Sequence, residues 1–337
     1  VDEFVAAAKA VFPSVVIQWE DFRKDNALSI LNRYRNVVPS FNDDIQGTGA
    51  VAYACMHAAC RITGNPITES RVLVYGAGAA GYGIAKKILG GLRFNGLEGD
   101  ALRRSVVAMD SRGILSDVHD FQDYKAELAW PEAWVTDIGL DDRTRRNLLD
   151  VIRAYRPNVL IGTSGQADSF NEEVVKAMAE VCDQPVILPM SNPTSISEAK
   201  PARVLRWTEG RALVATGSPF DDVDLGDGPQ RIGQANNVFI FPGLGLGTIV
   251  SGATEVTEGM IGAASKALAD SLTDEEIAGR CLMPEVTRLW EICGQVAVEV
   301  AERAMRDQVA EEIPHDELVK KIDDYRWRPV YPEMVSA

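Results

Sequence analysis

Two short acidic runs and one glycine-rich turn carry most of the chemistry legible in this chain. The acidic runs are Glu20-Asp21 and Asn42-Asp43-Asp44. Neighbours within a strand face opposite sides, but Glu20 and Asp21 follow the apolar run Val15 to Trp19, where a strand should end. A turn there lets both carboxylates converge. Hard oxygens from two separate segments are what Mg²⁺ or Mn²⁺ takes. A solvated turn and an Asx turn at Asn42-Asp43 explain the same residues without an ion. The glycine-rich turn is Gly76-Ala77-Gly78-Ala79-Ala80-Gly81, entered from Val72-Leu73-Val74-Tyr75 and followed by a helical run from Tyr82 to Leu89. In strand–turn–helix context Gly76 permits the tight turn, Gly78 admits a pyrophosphate, and Gly81 lets the helix pack on the strand. Free N–H groups at the helix start favour phosphate, so dinucleotide binding is the expectation.

Other polar residues close apolar runs. Asp110 ends the run Ser105 to Met109, farther beyond Gly78 than the usual ~20 residues, an excess the polar insert Arg93 to Arg104 explains. A carboxylate there accepts hydrogen bonds from ribose hydroxyls and favours NAD, whereas Arg112 could meet a 2′-phosphate and favour NADP, or simply face solvent from a loop. Ser164, Asn192 and the pair Asn236-Asn237 also lie near inferred strand ends. Amides orient a carboxylate or carbonyl without adding charge, although Asn192-Pro193 reads equally well as turn chemistry.

The elements that must hold these residues alternate. Strands are expected at Val15 to Trp19, Arg71 to Tyr75, Ser105 to Met109, Asn158 to Ile161, Val186 to Met190, Ala212 to Ala215 and Val238 to Phe241. Helices are expected at Ala27 to Asn36, Gly49 to Ile62, Gly81 to Leu92, Thr144 to Tyr155, Asn171 to Val181 and Pro201 to Trp207. Such alternation gives an α/β fold, a doubly wound Rossmann-like parallel sheet with ligands beyond the carboxyl ends of the strands. Beyond about Gly243 only helical patterns remain (Glu258 to Ala269, Pro284 to Met305, His315 to Asp324), which predicts a helical C-terminal cap.

Composition narrows the partners. The 337 residues carry 34 basic and 49 acidic side chains, a net charge of −15 that repels nucleic acid and anionic membrane. No apolar run approaches the ~20 residues of a membrane span, and Val1-Asp2-Glu3-Phe4 does not open a signal peptide. Five scattered cysteines without a C-x-x-C pair fit reduced thiols and a cytoplasmic location. His57, inside a helical run, reads as structural.

Taken in order, Trp19-Glu20-Asp21-Phe22, Phe41 to Thr48, Gly76 to Gly81, Met190 to Ser195, Thr216 to Phe220 and Gln234 to Val238 resemble malic enzyme of the large type over nearly the whole chain. The resemblance implies that Glu20, Asp21 and Asp44 ligate Mn²⁺ or Mg²⁺, with Asp43 beside them as a catalytic side chain that does not itself touch the ion. It implies that Asn192 and Asn237 bind malate, and that Gly76 to Gly81, Asp110, Ser111, Arg112, Ser164 and Asn192 serve NAD or NADP. It further implies a nucleotide domain at 44–236 set into a unit made of 1–43 and 237–337, a homo-oligomer, and oxidative decarboxylation of malate to pyruvate. One feature departs from the family. Its catalytic lysine and tyrosine precede the Trp-Glu-Asp-Phe motif, yet here only 18 residues do so, with Lys9 the only lysine and no tyrosine. The expectation is therefore a piece of a longer enzyme that alone binds nucleotide and metal but turns over little malate. Malolactic enzyme, which retains NAD and yields lactate, shares these motifs. A non-catalytic NAD-binding module is the alternative outside enzymology.

Overall fold

The computed structural model describes residues 1–337 except 122, 227, 329, 332, 333 and 335–337, and leaves the side chains of 24, 25 and 123 undescribed. Its strands are β1 (Ile17–Trp19), β2 (Ser40–Asn42), β3 (Val72–Tyr75), β4 (Val106–Asp110), β5 (Gly113–Ile114), β6 (Val159–Gly162), β7 (Val186–Pro189), β8 (Leu213–Thr216), β9 (Val223–Asp224), β10 (Pro229–Gln230) and β11 (Gly233–Gln234). The longer helices are α1 (Asp2–Val11), α2 (Lys24–Tyr34), α3 (Thr48–Thr63), α4 (Ala79–Phe94), α5 (Leu148–Tyr155), α6 (Glu172–Val181), α7 (Pro201–Trp207), α8 (Phe241–Ser251), α9 (Glu258–Asp270), α10 (Leu289–Arg306) and α11 (His315–Tyr325).

Seven strands form the main sheet in the order β11-β8-β7-β6-β3-β4-β5, parallel except for β5 against β4. Successive strand side chains point to opposite faces, and both faces are buried here. Val72, Val74, Ile161 and Leu188 pack with α3, α4, α9 and α10, whereas Leu73, Leu160 and Ile187 pack with α5, α6 and α7. Near-continuous apolar runs are what a sheet covered on both sides requires. The chain moves from β3 to β4 on one side and later to β6 on the other, so the strand order reverses between β3 and β6. That crevice is where a doubly wound sheet receives a dinucleotide.

Two expectations need correction. Val238 to Phe241 is not a strand: Asn236 Oδ1 accepts the Val238 N–H at 2.9 Å and starts a 3₁₀ turn, Asn237–Phe239, that leads into α8. Pro242 suits the first turn of α8 because a free N–H is not needed there. Two unexpected two-residue strands complete the sheet instead, Gly233–Gln234 beside β8 and Gly113–Ile114 beside β4. Val15 to Trp19 does contain β1, but β1 pairs in parallel with β2 in a separate two-stranded sheet. The C-terminal helices form as expected. Among the described residues no helix is long and apolar enough to cross a membrane.

His57 lies on α3, its ring edge-on to Tyr53 at 4.6 Å. Burial pulls its pKa down to about 4; Asp270 opposes this, and Lys266 and Lys87 reinforce it. A histidine held neutral in the folded state costs stability as pH falls from 6.5 to 4. We expect a loss of up to about 3 kcal/mol across that window. Urea titrations of His57→Phe should show a flatter acid limb than the parent.

Candidate active site

Parallel pairing of β1 with β2 sets Trp19 opposite Asn42, so Glu20-Asp21 and Asp43-Asp44 leave the two strands side by side. Asp21 adopts φ +58°, a left-handed conformation that Asp tolerates better than most residues and that bends the chain sharply after β1. After β2 the backbone enters a single π-helical turn, Asp43–Gly47, which opens α3. Asn42 Oδ1 accepts the Ile45 N–H at 2.9 Å, and Gln46 Oε1 accepts the Asn42 N–H at 3.0 Å. Such turns are frequent at functional sites.

Asp43 is 4% exposed. Its Oδ2 accepts from Asn237 Nδ2 at 3.0 Å, and its Oδ1 is buried without a partner. The same Asn237 amide reaches the Asp43 carbonyl oxygen and Thr48 Oγ1, each at 3.2 Å. Burial raises the Asp43 pKa to about 6; the Asn237 hydrogen bond opposes this, and the charges of Glu20 and Asp44 add to it. Burial likewise raises Asp44, whose Oδ2 accepts the Asp21 N–H at 3.0 Å while the Asp21 carboxylate repels it. Hard oxygen donors, an orphaned buried oxygen and mutual repulsion together suit a divalent cation. The side chains stop short of a closed cage: Glu20 and Asp21 are exposed, and among the described residues no three His, Cys, Asp or Glu converge as an ion-holding group.

The glycine-rich turn divides its work as its spacing predicts. Gly76 has φ +114°, and a Cβ there would lie 2.5 Å from the Thr163 carbonyl carbon. A Cβ on Gly81 would lie 2.0 Å from the Gly76 carbonyl oxygen, but one on Gly78 would meet nothing within 4 Å. Gly78 thus opens to space in front of α4. No side chain caps α4, and Tyr82 N–H is bonded back to the Gly78 carbonyl at 2.8 Å. The N–H groups of Ala79, Ala80 and Gly81 precede it in the first turn, where no intrahelical acceptor exists, while Ala77 N–H is held by the Met109 carbonyl at 2.9 Å. That helix start fits a pyrophosphate.

Beside the turn, at the end of β4, Asp110 is already engaged: Lys125 Nζ lies 2.6 Å from Oδ2, and the Arg112 N–H donates to Oδ1 at 2.8 Å. Burial raises this carboxyl, but Lys125 and Arg112 outweigh it and hold the pKa below the ordinary value. Ser111 and Arg112 are exposed, and the Arg112 guanidinium lies over Phe121 at 4.5 Å. Ser164 follows β6, and Asn192 follows β7 with its Oδ1 accepting from Ser218 Oγ at 2.5 Å. The structure therefore sets Asp110, Gly78, Ser164 and Asn192 along one edge of the sheet. Asn237 stands instead with Asp43 and Thr48.

A close approach ties the acidic turn to α4. A Cβ on Gly83 of α4 would lie 2.3 Å from the Ile45 carbonyl oxygen, so only glycine lets the π turn rest there. Gly83, Lys125 and Glu198, whose buried carboxylate accepts the Ser164 N–H at 2.7 Å, carry no signal of their own in the sequence. Lys125 sits in a polar stretch without periodicity, and Glu198 is one carboxylate among many. Lys9, exposed on α1, donates to the Val37 carbonyl at 2.9 Å, away from these groups.

Residues 45–305 match the family described as malic enzyme, NAD binding domain, and residues 1–35 match malic enzyme, N-terminal domain. The chain belongs to the malic enzyme family. It is 43% identical over 333 residues to NAD-dependent malic enzyme 3 of Bacillus subtilis, covering 98% of this chain and 58% of that protein. It is 42% identical over 332 residues to NAD-dependent malic enzyme of Sodalis glossinidius, covering 98% and 59% respectively. The chain thus spans somewhat over half the length of these curated relatives. In shape it is similar to the malic enzyme of Pyrococcus horikoshii, with a TM-score of 0.73 at 24% identity over 96% of this chain and 69% of that one. It is also similar to the NAD-dependent malic enzyme of Thermotoga maritima, with a TM-score of 0.68 at 27% identity over 89% and 70%.

Proposed function

We propose that this chain supplies the dinucleotide and divalent-metal portion of an NAD-dependent malic enzyme that converts malate to pyruvate and CO₂. The observation that carries the reading is the packing of the crowded acidic turn onto the nucleotide helix through Gly83, which puts two chemically different sites against each other. In this reading Glu20, Asp21 and Asp44 hold Mn²⁺ or Mg²⁺, which when bound polarises the C2 oxygen of malate as a Lewis acid. Asp43, buried beside them, is poised by its raised pKa to exchange a proton, and Asn237 holds it in place. Asn192 and Asn237 orient the substrate carboxylates. Gly76 to Gly81 receive the pyrophosphate, Asp110 the adenosine ribose, and Ser164 the nicotinamide half. Residues 44–236 form the nucleotide unit and 1–43 with 237–337 the substrate side, in a homo-oligomer in the cytoplasm.

NAD is favoured over NADP by the names of the relatives and by a carboxylate at Asp110. Arg112 and Lys125 beside it are the features that would suit a 2′-phosphate. Parallel titrations should show NADH binding more tightly than NADPH, and the reverse order would transfer the assignment to NADP. Product analysis tests the reaction: malate, NAD and Mn²⁺ should yield pyruvate with free NADH, whereas lactate without NADH identifies the malolactic reaction. None of the residues placed here supplies both a base and an acid, and Lys9 is engaged elsewhere. We expect malate turnover by the 337-residue chain alone to fall at least ~10²-fold below that of an enzyme of the relatives' full length. Equal turnover would refute that division of labour.

A further inference from the structure

We infer that Glu198 is the positioning residue for the nicotinamide end of the crevice, an inference that rests on the dinucleotide reading above. Glu198 is fully buried. Its Oε1 accepts from Ser164 N–H at 2.7 Å, Ser164 Oγ at 2.9 Å, Gly165 N–H at 3.3 Å and Ser191 Oγ at 2.6 Å. Its Oε2 accepts the Ser191 N–H at 3.3 Å. Among the described residues no Lys, Arg or His forms an ion pair with it, so neutral donors alone compensate the carboxylate. A buried carboxylate without a counter-ion is costly unless its oxygens are well hydrogen-bonded.

The donors belong to two loops, one after β6 and one after β7, and a single side chain fastens both. The fit is tight: a Cβ on Gly162 would lie 2.7 Å from the Glu198 carboxyl carbon. The strand order reverses between β3 and β6. With the adenosine half over β3 and β4, where Asp110 stands, the other half of the dinucleotide must lie over β6 and β7. The loops that Glu198 fastens are therefore those that meet the nicotinamide, and they present Ser164 and Asn192. Glu198 lies beneath this surface and acts through those two residues.

ADP-ribose, which lacks the nicotinamide, separates the roles. Glu198→Gln keeps the shape but removes the charge that four donors share at Oε1 and sets an NH₂ group against the Ser191 N–H that Oε2 accepts. The 337-residue chain carrying it should bind NADH on the order of 10-fold more weakly than the parent, with ADP-ribose affinity within about 2-fold. Glu198→Asp, which keeps the carboxylate and withdraws it by one methylene, should show a smaller loss of the same pattern, and it carries the test should the Gln variant fail to fold. Equal weakening of both ligands, or no change in either, overturns the inference while leaving the dinucleotide reading intact. Parent chain that binds neither NADH nor ADP-ribose refutes the dinucleotide reading and this inference with it.

Discussion

Gly78→Ala is expected to leave thermal stability unchanged while weakening NADH binding by ~10- to 100-fold. Its backbone has a negative φ that alanine adopts freely, and the added methyl meets no protein atom within 4 Å. The methyl occupies space in front of α4, so a pyrophosphate can no longer approach the first-turn N–H groups. Losing one charge-assisted hydrogen bond of ~1.5–3 kcal/mol gives that range. Gly81→Ala is the counterpart: its methyl would sit 2.0 Å from the Gly76 carbonyl oxygen, which forces strand and helix apart. Overpacking of this kind costs about 1–3 kcal/mol or more. Both stability and NADH affinity should therefore fall in the second variant. Calorimetry with fluorescence titration checks the pair. A destabilised Gly78→Ala, or a Gly81→Ala of parental stability, would contradict the assignment of tasks within the turn.

Lys87→Met should stabilise the chain by up to about 3 kcal/mol at pH 7. Lys87 is buried on α4, and its Nζ donates to the Glu258 carbonyl at 3.0 Å. Burial draws its pKa down to about 8; the Glu258 carboxylate opposes the shift and Arg303 adds to it. The unfolded lysine holds its proton to about pH 10.4, so between pH 8 and that value the unfolded state binds more protons and parental stability rises with pH. Below pH 8 the folded state must bury the charge in full. The advantage of methionine should thus be complete at pH 7 and shrink toward pH 10. Denaturant unfolding at both pH values measures it. Methionine that is less stable at pH 7 would show that the Glu258 contact outweighs burial.

Much of this could be read from the sequence because periodicity and position were strong there. Val72 to Tyr75 ends in glycine at the one place where a strand must turn sharply into a helix, and β3 and α4 form as expected. Elsewhere the signal was local and short. Ser40–Asn42 is a three-residue strand made by pairing with β1, a long-range event that no local pattern announces. Val238 to Phe241 has the apolar composition of a strand, but the Asn236 cap and Pro242 commit it to helix. The acidic residues were legible as types and neighbours. The hydrogen bond to Asp43 from Asn237, 194 positions away, required the fold. Glu198 was invisible for the same reason, since its donors come from loops that only strand order makes adjacent.

Whether acids from two remote segments serve one cation is the claim on which the enzymatic reading turns. Electron paramagnetic resonance titration of Mn²⁺, on the parent chain and on Asp44→Ala, addresses it directly. On that claim the parent binds the ion and Asp44→Ala loses it, with NADH affinity nearly unchanged. Equal Mn²⁺ affinity in both chains would contradict it and leave a nucleotide-binding fold without a metal site at the ends of β1 and β2.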